Sequence, residues 1–141
     1  MSVFDSMRIN GSGLTLERLK LDTISTNIAN VNTTRTAEGG PYRKKEVTFE
    51  EYLMSKKNGL GGMEKSFGVK PTGIEESDEI LLAYDPLSPD ADEDGYVQQS
   101  NVNMADEMVE MMNTLRTYEA NTTALNASKS ILKKALEISA N

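Results

Sequence analysis

Apolar positions crowd into the last third of the chain at helical spacing. Steps of three and four connect Met108, Met111, Leu115, Tyr118, Thr122, Leu125, Lys129, Leu132 and Leu136, and seven of these nine are apolar or aromatic. A second row, Met104, Met112, Ala124, Ile131, Ala135 and Ile138, widens the stripe, and neither Gly nor Pro occurs after Tyr96. This spacing predicts an amphipathic helix over residues 103–140, and its three-four alternation is that of a coiled-coil seam. Fully helical, the stretch spans about 57 Å at ~1.5 Å per residue. Asn101 and Asn103 are good N-caps. Asp106, Glu107 and Glu110 near the start and Lys129, Lys133 and Lys134 towards the end complement the helix dipole. A helix this long needs a partner to cover its stripe.

A second stripe lies at the other end of the chain. Met7, Leu14, Leu21 and Ile28 recur at spacings of seven, with Ile24 and Val31 between. Gly11 and Gly13 weaken the first turns, which predicts fraying or a break there and a firm helix over residues 14–31. Asn27, Asn30 and Asn32 then cluster with Ser25, Thr26, Thr33 and Thr34, which ends the helix and offers side chains that fix register. The two stripes are expected to pair as an antiparallel coiled coil.

Between the helices the pattern changes. Glu38-Gly39-Gly40-Pro41 is a breaker. Residues 42–49 read as a strand with a basic face, residues 50–54 as a helical turn, and residues 56–62 as a loop. Residues 67–74, with Pro71 tolerable only at an edge, and residues 80–84 read as two further strands. The turn at residues 75–78 joins them into an antiparallel hairpin. The expected fold class is mainly α with a small β insertion. Its segments are an N-terminal helix (1–34), a β-containing insertion with an acidic turn (35–100) and a C-terminal helix (101–141).

Composition narrows the chemistry. By size, the 141 residues amount to one domain, or to one small domain with extensions. Eight Met suit adaptable helix interfaces or ordinary packing. No Cys and no His are present, which removes disulfides, thiolate metal sites and the commonest general base. A formal charge of −7 argues against a nucleic-acid partner, so the run Arg43-Lys44-Lys45 is read as pairing with acids or water. No apolar run is long enough to span a membrane, and the first residues do not resemble a cleaved secretory signal. Gly59-Leu60-Gly61-Gly62 lacks the strand–helix frame of a dinucleotide site. Neither enzyme activity nor a cofactor is expected.

Twelve acidic residues and no Lys or Arg lie between Glu75 and Glu110. Asp90, Asp92, Asp94 and Gly95 match positions one, three, five and six of an EF-hand loop, but Asn101 stands where the bidentate Glu belongs and Pro86 and Pro89 occupy the entering helix. These three aspartates are a weak calcium candidate; a solvated acidic turn is the default.

Several blocks together resemble a known family. Asn27-Ile-Ala-Asn30-Val-Asn-Thr33-Thr-Arg35-Thr resembles the N-terminal signature of the bacterial flagellar axial proteins of rod and hook. Gly39-Gly40-Pro41-Tyr42-Arg43, Gly68 to Ile74, Asp85 to Asp92 with Gly95-Tyr96-Val97, and Asn101 to Met108 agree with its rod members in order. Arg116-x-Tyr118-Glu119-Ala120-Asn121 and Asn126-x-x-Lys129 are similar to the shared C-terminal motif. Residues 50–67 are the main part outside the resemblance, and Pro71, Ser88 and Ser100 depart from the common pattern.

The resemblance implies a structural subunit of the basal-body rod, exported through the flagellar type III apparatus with its N-terminus uncleaved. Implied partners are other rod subunits, further copies of itself, the adaptor at the rod base and the export apparatus. Its location would be extracytoplasmic, in the cell envelope. Expected assembly contacts are Leu14, Leu21, Ile24, Ile28, Met108, Met111, Leu115, Tyr118, Leu125, Leu132 and Leu136. Asn27, Asn30, Asn121 and Asn126 are expected to set register and intersubunit hydrogen bonds, or else to cap locally. The free monomer would have partly disordered termini that fold on assembly. The competing reading is a cytoplasmic coiled-coil adaptor or secretion chaperone.

Overall fold

A computed structural model describes residues 3–57 and 63–139. Helix α1 (Val3–Ala29) and helix α2 (Met104–Ser139) enclose four strands: β1 (Lys45–Lys57), β2 (Met63–Glu76), β3 (Leu81–Tyr84) and β4 (Tyr96–Gln99). The architecture is mainly α with two small antiparallel sheets inserted between the terminal helices.

The helices pair antiparallel. Ser6 and Ser128 share a hydrogen bond of 3.3 Å. Gly13 faces Asn121, and Asn27 reaches Glu107 at 3.0 Å. From Ser6 the contacts advance by seven and then fourteen residues along α1, and from Ser128 they retreat by the same steps along α2. A seven-residue step is the repeat of a coiled coil.

This explains why α1 runs unbroken from Val3 through Gly11 and Gly13, where fraying and a start near Leu14 were expected. A Cβ at Gly13 would lie 3.0 Å from the Asn121 amide nitrogen, so the glycine permits close approach of the two helices. Packing across that contact outweighs the low helix propensity of Gly.

The helix ends where the Asn cluster begins. The Asn30 side chain donates to the Thr26 carbonyl and accepts from the Thr33 hydroxyl. Gly39 and Gly40, with φ of 90° and 79°, turn the chain back, and the Tyr42 N–H donates to the Thr33 carbonyl.

The strand pairing departs from the expected hairpin. β1 pairs with β2, from Lys45↔Glu76 to Lys57↔Met63, and β3 pairs with β4 across the acidic turn. Residues 50–54 continue β1 instead of forming a helical turn. The expected loop at 56–62 therefore falls between the paired strands; Lys56 and Lys57 belong to β1, and residues 58–62 lie outside the described residues. Residues 75–78 lead out of β2 and do not join partner strands. Pro71 is accommodated opposite Phe49, where the register shifts after Thr48. An irregular step in a two-stranded ribbon tolerates a residue that lacks an N–H.

The core is small and mixed. Its buried apolar members are Leu16, Ile24, Tyr42, Val97 and Val102, and more polar than apolar side chains are buried among the described residues, including Thr23, Asn27, Ser100, Glu107 and Thr114. It lies where the second half of α1, residues 42–45, β4 and the first turns of α2 meet.

Two glycine substitutions test the helix contact. Gly11 faces open space, so Gly11→Ala should raise stability by about 0.5–1 kcal/mol through helix propensity alone. Gly13→Val should lower it by about 1–3 kcal/mol by overpacking against Asn121. Thermal unfolding followed by circular dichroism distinguishes them; equal tolerance at the two sites contradicts the close approach.

Candidate functional site

The best-defined polar cluster lies at the centre of the core. Asn27 is 1 % exposed, and its amide uses every bond it can make. Oδ1 accepts from the Tyr42 hydroxyl at 2.9 Å and the Lys45 N–H at 3.0 Å. Nδ2 donates to the Lys45 carbonyl at 2.9 Å and to Glu107 Oε2 at 3.0 Å. Two donors on one side and two acceptors on the other fix the orientation of the amide. Asn27 thus pairs with the backbone of Lys45 as a neighbouring strand would, which anchors the first residue of β1 to α1.

Glu107 is fully buried. Its second oxygen, Oε1, lies 2.9 Å from Lys44 Nζ. That approach lacks the angle of a well-formed hydrogen bond, so Oε1 has no aligned donor. We regard the contact as a genuine ion pair, because at this distance the ammonium's charge compensates the carboxylate. The same ammonium is 4.0 Å from Glu110 and 3.8 Å from Glu46. Its pKa is raised, chiefly by the close contact with the Glu107 carboxylate. Burial raises that of the Tyr42 hydroxyl, and the bond to Glu76 raises that of Lys45. The Lys44 N–H donates to Asn101 Oδ1 at 2.7 Å. Asn103 caps α2 through the Ala105 N–H, and the Ser100 hydroxyl accepts from the Val102 N–H. Both helices, the start of β1 and the lead-in to α2 are therefore joined by one connected set of bonds.

Beyond this hub the helices meet through small and polar side chains. Glu107, Thr114, Asn121 and Ser128 form one heptad row on α2, and all four are buried or half-buried. Asn27, Gly13 and Ser6 oppose three of them on α1. Of the expected contact residues, Ile24 is buried, and Leu14, Leu21, Ile28, Met111, Leu125 and Leu132 are half-buried. Met108, Leu115, Tyr118 and Leu136 are exposed, as are Met104, Val109, Met112 and Ile131. Asn27 and Asn121 lie at the helix contact, Asn30 caps α1, and Asn126 is exposed. The apolar stripe of α2 thus turns largely away from α1.

Sequence reasoning missed the hub itself, apart from Asn27. Leu16, Tyr42 and Glu107 are not among the expected contacts, whereas Lys44 belongs to the run expected to pair with acids, as it does with Glu107. The one legible signal is the seven-residue recurrence of polar and small residues at 107, 114, 121 and 128, which an apolar search passes over.

The acidic turn makes protein contacts. Asp90 accepts from the Thr34 hydroxyl and pairs with Arg35, both at 2.9 Å, which ties the chain after α1 to the β3–β4 connection. Asp92 Oδ1 accepts from the N–H groups of Asp94 and Tyr96. Among the described residues no group of three or more acidic side chains comes together in an arrangement that could hold a metal ion. No described helix is long and apolar enough to cross a membrane.

Two family models match the chain at its ends. Residues 7–35 match the flagella basal body rod protein model, and residues 93–138 match the C-terminal model of flagellar basal body rod FlgEFG proteins. The chain is 43% identical to the flagellar basal-body rod protein FlgC of Bacillus subtilis, over 98% of this chain and 99% of that one. It is 41% identical to FlgC of Borreliella burgdorferi over 98% of both chains. It is 36% identical to FlgC of Escherichia coli, over 98% of this chain and 96% of that one.

Asn27→Ala removes four hydrogen bonds, two of them buried, and leaves Glu107 short of a donor. The expected loss is about 3–5 kcal/mol of unfolding free energy, read from denaturant midpoints. The pH dependence has a definite sign. Lys44 and Tyr42 hold their protons more tightly folded than unfolded. Their stabilisation is therefore complete below their unfolded values, about 10, and is lost as pH rises through the higher folded values. Thermal midpoints should hold steady in this respect to about pH 9 and fall above it. Lys44→Met should flatten part of that alkaline decline, and an unchanged slope contradicts the assignment to Lys44.

Proposed function

The chain belongs to the FlgC family of flagellar basal-body rod proteins, and we propose from that premise how its two helices build the rod. It is a structural subunit of the proximal rod. Family membership selects this role over the cytoplasmic adaptor or secretion chaperone that a paired-helix chain also suggests.

The observation that carries the proposal is the exposed stripe of α2. Met104, Met108, Met112 and Leu115 are each 40–53 % exposed on one long helix, and Tyr118, Ile131 and Leu136 continue the apolar surface. Contiguous exposed apolar area on this scale marks an interaction surface. The intrachain contact uses mainly small and polar positions, which leaves most of the stripe for neighbours. Asn27 and Asn121 set the register within the subunit, and Asn126 is placed for hydrogen bonds to a neighbour. Segments 1–34 and 101–141 form the axial part, with 35–100 as the insertion.

The partners are further copies of this chain, other rod subunits and the adaptor at the rod base. The subunit reaches them through the flagellar type III apparatus and stands outside the cytoplasm in the cell envelope. The absence of Cys suits a chain that crosses a narrow channel unfolded. The distal ends of the helix pair, which bury least, are partly disordered in the free monomer and order on assembly.

Replacing Leu115 and Tyr118 together by Asp should leave the purified monomer folded, since both are exposed, yet reduce its recovery in the basal-body fraction at least tenfold. Undiminished recovery removes the stripe from assembly. Circular dichroism and limited proteolysis of dilute wild-type protein test the folding step: helix content should fall short of α1 and α2 complete. Termini already fully helical and protease-resistant contradict it.

A further inference from the structure

In the antiparallel register one end of α2 extends beyond the described part of α1. Ser6 lies opposite Ser128, and α1 begins at Val3, so the turns of α2 after about Ile131 project past the first described residue of α1. Ile131, Leu136 and Ile138 on this projection are 60–78 % exposed. Lys129, Lys133 and Lys134 accompany them, against the single acid Glu137, in a chain of net charge −7. Only Lys133 is near that acid, at 4.0 Å.

A concave counterpart lies elsewhere on the molecule. The β1–β2 ribbon packs beside α1, where the Val69 N–H donates to the Ser12 hydroxyl and the Lys20 ammonium sits 4.6 Å from the Phe49 ring centre. Between ribbon and helix runs a groove of about 400 Å³ lined by Ile9, Leu16, Phe49, Phe67 and Val69, with Glu51 and Glu17 among its charged residues. Phe49 and Phe67 are each half exposed there. Lys20, the groove's cation, is already placed over Phe49, which leaves the exposed Glu51 to meet an incoming ammonium.

We propose that the projecting end of α2 docks in this α1–ribbon groove of a second copy of the chain. Leu136 fills the apolar floor between Phe49 and Phe67, and Lys133, one turn before it on the same face, pairs with Glu51. A convex end and a concave groove at different places on one molecule give a heterologous contact, which propagates head to tail instead of closing into a two-fold dimer. Such a contact suits a tubular array and rests on the reading of the chain as a rod subunit. It adds a specific pair of surfaces to the α2 stripe.

The chain has no Cys, so engineered thiols report without background. Two differently tagged copies, one Leu136→Cys and one Phe49→Cys, are expressed together in flagellated cells and treated with a short bis-maleimide. The expected product is a crosslinked dimer carrying both tags in the basal-body fraction, lost when Glu51→Lys is added to the Phe49→Cys copy and recovered when Lys133→Glu is added to the other. Both copies present in that fraction without a crosslink overturns the docking and leaves the rod reading standing. A crosslink from Leu136→Cys to a protein of different mass also overturns it, since the occupant is then another subunit. Absence of both copies from the fraction, with wild-type protein present and the variants folded by circular dichroism, overturns it too. Absence of the wild-type protein itself overturns the rod reading on which it rests.

Discussion

A carboxylate with no access to water must have its charge met inside the protein, and Glu107 places that demand on everything around it. It is met by the Asn27 amide from α1 and the Lys44 ammonium from the strap before β1. Each of these is held in turn: Asn27 by Tyr42 and Lys45, and Lys44 through its N–H by Asn101. Removing any one leaves a buried polar atom unpaired, which costs more than the bond itself contributes. That asymmetry makes the hub a device for register more than for raw stability. An apolar seam could slide by a turn and still be buried; a seam with one amide aimed at one carboxylate has one good alignment.

The division of labour along α2 follows. A helix of 36 residues carries more apolar surface than α1 and the small β elements cover. In the subunit, polar and small residues at heptad spacing meet α1, so pairing is specified without consuming the stripe. That leaves the apolar side chains for the proposed association, where their burial would be the main driving force. Met-rich surfaces adapt to differently shaped neighbours, and the run Met104, Met108 and Met112 stands beside the hub, at the end of the helix whose position is best fixed. Rigid placement at that end and sparse cover at the other suit a part that is held first and ordered later.

Much of this was legible in sequence. Both helices followed from apolar spacing, the break after α1 from the Asn cluster and the glycine pair, and the family from short ordered blocks. The pairing of the helices was foreseen, but the polar members of the seam escaped notice, because periodicity reports which residues are apolar, not which neighbour covers them. The same limit explains Gly13: propensity marks it as a weakness, whereas Asn121, a residue far along the chain, packs against it. The strands were paired wrongly because local turn signals at residues 75–78 outweighed the weaker pattern that pairs β1 with β2. Within the acidic turn, Asp90 has a part that no local signal showed, holding Thr34 and Arg35 from the other side of the insertion.

The central claim is that the subunit keeps its helices in register through a polar intrachain hub and leaves its apolar stripe to its neighbours. A cryo-electron microscopy map of the intact basal body at side-chain resolution tests it most directly. The account predicts Asn27 bonded to Glu107 of the same chain, with Met108, Leu115 and Tyr118 buried against adjoining subunits. A map in which Asn27 meets Glu107 of another copy, or in which that stripe faces open solvent in the assembled rod, contradicts it.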